Sequence, residues 1–117
     1  MYGVRMAGDR DISPERADAL RRDQDAQLID VREDREWDAG RIGGARHIVL
    51  GEVASQASSI DQDRPVVFYC RVGSRSAMAA DAFRRAGYDA YSLDGGLEAW
   101  AGEGRPLEPD DGTVAGH

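Results

Sequence analysis

Apolar positions along this chain switch between short solid runs and three-to-four-residue spacing, which predicts strands interleaved with helices. Ser13-Pro14-Glu15 reads as a helix N-cap, first helical residue and acidic first turn, with Ala17 and Leu20 on one face behind it. Residues 27–31 form a short apolar strand, and 33–39 a helical turn closed by Gly40. A turn and brief strand follow over 43–49, then helical spacing over 51–59 through Val53 and Ala57. Residues 61–65 make a turn into Val66-Val67-Phe68-Tyr69, whose unbroken apolar character marks a central strand buried on both faces. The next helix runs to Ala86, with Gly87 placed to end it. Residues 88–93 give another strand, Asp94-Gly95-Gly96 a turn, and 97–101 a last helix.

Strands that alternate with helices form βαβ units on a mostly parallel sheet, and such α/β sheets carry their sites outside the carboxyl ends of the strands. At 117 residues the chain is the size of one domain. We divide it into an N-terminal segment, 1–11, a domain, 12–108, and a flexible tail, 109–117, where glycine, proline and acidic residues dominate.

A net charge of −7 argues against nucleic acid and anionic membrane as partners, because both demand a basic face. No apolar run approaches a membrane span, and the first ten residues hold no signal-peptide core. A single cysteine allows no internal disulfide, which fits the cytoplasm. No residue cluster has metal-ligand spacing and no glycine-rich loop matches a phosphate-binding pattern, so no metal or cofactor is expected.

The lone cysteine is the strongest chemical signal. Free cysteine is most often a small core hydrophobe. Cys70, however, ends the apolar run of the central strand and enters Arg71-Val72-Gly73-Ser74-Arg75-Ser76, just before a helix-forming segment. Amides at a helix start favour negative charge, and two flanking guanidiniums favour it further, so the expected form is a solvent-reachable thiolate nucleophile. Gly73 permits the backbone to turn successive N–H groups inward, and Val72, Gly73 and Ser74 are expected to supply them. Ser74 is a candidate cap or hydroxyl donor. Arg71 and Arg75 are candidates for binding an oxyanion by paired hydrogen bonds.

This loop resembles the active-site loop of the rhodanese (sulfurtransferase) family, and the resemblance covers most of the chain. Leu28-Ile29-Asp30-Val31-Arg32 is similar to that family's first strand with its Asp-x-Arg signature. Residues 36–45, Glu-Trp-Asp-Ala-Gly-Arg-Ile-Gly-Gly-Ala, are similar to its Glu-aromatic-x-x-Gly-His-Ile-x-Gly-Ala motif. Leu93-Asp94-Gly95-Gly96-Leu97-Glu98-Ala99-Trp100 is similar to its closing Gly-Gly-x-x-x-Trp motif. Arg41 stands where the family usually has histidine, a position held to be structural. The resemblance implies a rhodanese-like α/β domain, a parallel sheet with helices on both faces. It implies that Cys70 takes a sulfane sulfur from a small donor as a persulfide. Arg71 and Arg75 would hold the anionic donor, and an external thiol, cyanide or protein would be the acceptor.

Two other functions compete. A rhodanese-like module can dock a partner without catalysis. Phosphatases of related fold use Cys-x5-Arg to ring phosphate; Cys70 to Arg75 is one residue shorter, a ring better suited to sulfur, which disfavours phosphatase or arsenate reductase activity. Asp30 and Arg32 read as an acid–base pair holding a neighbouring loop, His47 as a satisfied structural histidine, and Trp37 and Trp100 as packing anchors.

Overall fold

In the computed structural model, which describes residues 10–116, the apolar runs assemble into one five-stranded parallel sheet. Its strands are β1 (Asp11–Ile12), β2 (Gln27–Asp30), β3 (Arg46–His47), β4 (Val66–Tyr69) and β5 (Ala90–Leu93), in the spatial order β1-β5-β4-β2-β3. The helices are α1 (Pro14–Gln24), α2 (Asp34–Ala39), α3 (Leu50–Val53), α4 (Ser74–Arg85) and α5 (Gly96–Gly102). Residues 1–9 and 117, with the expected N-terminal segment and signal-peptide reading that fall on them, lie outside the described residues.

Central β4 is fully buried, as its composition requires, and its alternating side chains feed two cores. Val66, Phe68 and Cys70 face Val53, Ala79, Ala80 and Phe83, on the side of α3 and α4. Val67 and Tyr69 face Ala17, Leu20, Leu97 and Trp100, on the side of α1 and α5. Helices therefore cover both faces of an α/β sheet. Burying a side chain such as Phe68 stabilises the fold by about 1.5–3 kcal/mol. No described helix is long and apolar enough to cross a membrane.

Local signals set the helix ends. Ser13 caps α1, accepting the Arg16 N–H at 3.1 Å, with Pro14 in the first turn. Glu33 and Glu36 form a reciprocal capping box on α2. Two expectations change. The helix expected over 51–59 breaks into α3 and a single 3-10 turn, Ala57–Ser59. Ser55 and Ser59 turn their hydroxyls onto the Glu52 and Gln56 carbonyls, a competition that weakens helix. The tail expected to be mobile instead runs back along α2 through residue 116. Thr113 N–H donates to the Ala39 carbonyl (2.8 Å), and Val114 packs on the second core. Gly40 admits it, because a side chain there would collide with the Thr113 backbone.

Candidate active site

Two adjacent strands, β2 and β4, end side by side, and each delivers a buried polar group to the carboxyl end of the sheet. At the end of β2, Arg32 Nε donates to Asp30 Oδ1 (2.9 Å), and its Nη2 donates to Asp30 Oδ2 (2.6 Å) and to the Gly40 carbonyl (2.7 Å). Both side chains are wholly buried. Burial alone would lower the arginine's pKa, but the bonds and field of Asp30 outweigh it and hold the pKa above the ordinary value. The pair thus ties the start and end of α2 to the sheet, the structural role expected for it. His47 is satisfied as expected, its Nε2 lying 2.7 Å from the Arg32 carbonyl oxygen. Trp37 stacks on the His47 ring at 4.8 Å, and Arg41 sits 4.9 Å above the same indole while donating to the Trp37 carbonyl. The arginine at the unusual position thus packs locally.

At the end of β4 the chain wraps around the Cys70 sulfur. Gly73, at φ 115°, occupies the cap position of α4, and its N–H points at Sγ from 3.1 Å. Ser74, expected as a cap, is the first helical residue instead. Ser76, not among the expected site residues, places its hydroxyl 3.6 Å from the sulfur. It also donates to the Gly73 carbonyl (3.2 Å) and lies 2.7 Å from the Ser92 hydroxyl. Its signal was present in the pattern: Ser76 interrupts the buried face of α4 that continues through Ala79, Ala80 and Phe83. Burial pushes the Cys70 thiol up, but hydrogen bonding from Ser76, Gly73 and Val72 outweighs it and holds the pKa below the ordinary thiol value.

A second element clamps the loop from behind. Gly95 and Gly96 both take positive φ, and the first amides of α5 bond the loop carbonyls: Leu97 N–H to Cys70 (2.8 Å) and Glu98 N–H to Arg71 (3.1 Å). A Cβ on Gly96 would meet the Cys70 and Arg71 carbonyl oxygens at 2.5 Å.

Two expectations about the loop are corrected. The sulfur is not solvent-reachable in this conformation: Cys70 has 0% exposure, because the turn that aims the amides also covers the atom. Nor do Arg71 and Arg75 form an open pair of guanidiniums. Arg71 binds Glu98 (2.7 Å), and Arg75 grips Glu36 of α2 through both nitrogens (2.8 and 3.0 Å). Arg75 still bears on the sulfur, and its pKa is raised first by Glu36 and then, more weakly, by Cys70. Glu33, Arg35, Glu36, Ser74 and Arg75 line a cavity of about 340 Å3 beside the loop. A larger cavity of about 790 Å3 lies against β1 and α1 and is lined by none of the loop residues. Among the described residues no group of side chains is arranged to hold a metal.

Comparison with known proteins matches residues 13–103 to the family described as the Rhodanese-like domain. The thiosulfate sulfurtransferase GlpE of Pseudomonas aeruginosa is 42% identical over 90 residues, covering 76% of this chain and 81% of that protein. The putative sulfurtransferase YtwF of Bacillus subtilis is 38% identical over 84 residues, covering 72% and 82%. Among solved structures, a rhodanese-related protein from Thermoplasma volcanium superposes with a TM-score of 0.77 at 26% identity, over 84% of this chain and 96% of that one. A protein of unknown function from Rhodopseudomonas palustris, described as a possible tyrosine phosphatase, gives a TM-score of 0.74 at 26% identity, over 92% and 98%.

Proposed function

Since the chain belongs to the rhodanese-like domain family, we propose that it is a sulfurtransferase that carries a sulfane sulfur on Cys70. The observation that supports this most is the Gly73 N–H held 3.1 Å from a sulfur whose pKa lies below the ordinary thiol value. The thiolate donates its electron pair to the outer sulfur of the donor. A new S–S bond forms, and the donor's own S–S bond breaks, its electron pair leaving with sulfite when the donor is thiosulfate. The negative charge moves to the outer sulfur of the Cys70 persulfide, where the Val72, Gly73 and Ser74 amides and Arg75 meet it. Arg71 and Arg75 receive the anionic end of the donor by exchanging their carboxylate partners, and the loop parts to admit it. An acceptor (cyanide, a small thiol or a protein) then attacks the outer sulfur and returns Cys70 as thiolate. The sequence holds no second cysteine, so the acceptor is external and the kinetics are ping-pong. A free thiolate of this kind suits a reducing compartment such as the cytoplasm.

Intact-mass measurement after treatment with a sulfane donor tests the proposal. The wild type gains one sulfur atom, and Cys70→Ser gains none. A wild type that never takes up sulfur from any of several donors removes the enzymatic reading and leaves a docking module. The description of the Rhodopseudomonas palustris neighbour supports a second reading, a phosphatase. Hydrolysis of a generic aryl phosphate, lost in Cys70→Ser, would replace the first reading with this one.

A further inference from the structure

The face of the sheet that meets α4 is apolar along β4 and β2, where Val66, Phe68, Ile29 and Val31 share one core with Ala79, Ala80 and Phe83. Two hydroxyls interrupt it. Ser92 follows Ala90 on the same face of β5 and is 2% exposed; Ser76 sits on the buried face of α4 and is 0% exposed. They meet each other at 2.7 Å. A buried hydroxyl is costly without a partner, so each stabilises the other's presence. Ser76 alone continues to the reactive sulfur.

Ser76 has one proton and three neighbours: Cys70 Sγ, the Gly73 carbonyl, and Ser92 Oγ. The Gly73 carbonyl already accepts the Ala77 N–H at 3.0 Å. Two proton orders are open to the chain of hydroxyls. With a neutral thiol, Cys70 donates to Ser76 and Ser76 donates onward. With a thiolate, Ser92 donates to Ser76, which frees the Ser76 proton for the sulfur. A donor that is itself polarised by a second donor binds an anion more strongly.

Resting on the sulfurtransferase reading, we infer that Ser92 is a positioning residue: its hydroxyl orients and polarises Ser76 so that Ser76 donates to the Cys70 thiolate. Its effect adds to those of the charged groups around the sulfur. These are Arg75 of α4 with Glu36 of α2 behind it, the Arg71–Glu98 pair joining the loop to α5, and the Asp30–Arg32 pair at the end of β2. When sulfur is loaded, the charge leaves Sγ for the outer sulfur, and the Ser76 proton returns to the Gly73 carbonyl. Ser92 therefore favours the attacking thiolate over the loaded carrier.

The test is a pH titration of the thiolate by its ultraviolet absorbance, with Cys70→Ser as baseline, in Ser92→Ala, Ser92→Thr and Ser92→Val. Thr and Val share a shape and differ in the hydroxyl, so a packing effect moves both alike and a proton-order effect moves only Val. Loss of one hydrogen bond to an ion should raise the titration midpoint by about half to one pH unit, a roughly three- to tenfold smaller thiolate fraction below both midpoints. Ser92→Ala and Ser92→Val are expected to show that rise, and Ser92→Thr to titrate as the wild type. Ser92→Thr and Ser92→Val titrating together, with a normal wild type, would overturn the role of Ser92 alone. A wild-type thiol that titrates in the ordinary range and takes up no sulfur would instead remove the sulfurtransferase reading, and this inference with it.

Discussion

The ends of β2 and β4 are neighbours in one sheet, both buried, and they handle buried charge in opposite ways. At β2, Asp30 faces a full opposite charge, with hydrogen bonds from Arg32 at 2.6 to 3.1 Å. At β4, the sulfur's nearest polar neighbours are neutral, the Gly73 amide at 3.1 Å and the Ser76 hydroxyl at 3.6 Å, while the nearby cation, Arg75, is held by Glu36 and bears on the sulfur more weakly. The Asp30–Arg32 pair is matched and sealed from any incoming ion on both sides, and is therefore a strut. An anion held by dipoles keeps its nucleophilic electron pair and can pass its charge to an incoming atom without breaking a salt bridge. On the sulfurtransferase reading, equal burial thus yields an inert site at one strand end and a reactive one beside it.

The comparison breaks most visibly at the strut. Arg32→Ala leaves Asp30 as an uncompensated buried carboxylate and frees the Gly40 carbonyl, and should cost about 3–5 kcal/mol in denaturant unfolding. A loss below about 1 kcal/mol, the size of an exposed ion pair, would show that water reaches this pair and that the contrast with Cys70 is not one of burial. At the reactive end the largest lever is the backbone. Gly96→Ala places a Cβ against the Cys70 and Arg71 carbonyls at a residue with φ 60°. It should destabilise the fold by about 2 kcal/mol and slow sulfur uptake far more than stability accounts for. Normal uptake in a folded Gly96→Ala protein would mean that α5 does not set the loop.

Much of this architecture is legible in the chain because burial on both faces writes itself as an unbroken apolar run, and β4 is such a run. Ser13 at the start of α1, Gly40 at the close of α2 and Gly87 past the end of α4 are equally local, and each stands where the pattern puts it. What the pattern misses is nonlocal. Strand β1 is two residues long, too short for any period, and is held by pairing to β5. The fates of Arg71 and Arg75 depend on Glu98 and Glu36, tens of residues away, so neighbouring basic residues give no sign of being already engaged. Ser76 and Ser92 were readable only as faults in two apolar faces that the fold then brings together.

Glu36 touches both systems, and a substitution there sharpens the comparison by moving stability and reactivity in opposite directions. Burial pushes the Glu36 carboxyl up, but the hydrogen bonds of Arg75, helped by the Glu33 backbone and the fields of Arg75 and Arg32, overcome it and pull the pKa down to about 2. A depressed carboxylate stabilises the fold above its unfolded pKa, near 4.3, and loses that contribution as pH falls toward 2. Glu36→Gln keeps one acceptor for Arg75 and should cost about 1–2 kcal/mol at neutral pH. The cost should shrink on acidification, so that mutant and wild type converge at low pH in denaturant melts. Removing the negative charge also leaves Arg75 with a stronger positive field at the Cys70 sulfur. The thiol midpoint should therefore fall further below its ordinary value in a protein that is less stable. An unchanged or raised midpoint would show that Arg75 acts only as a tether between α4 and α2, and that the amide and hydroxyl cradle alone lowers the thiol's pKa.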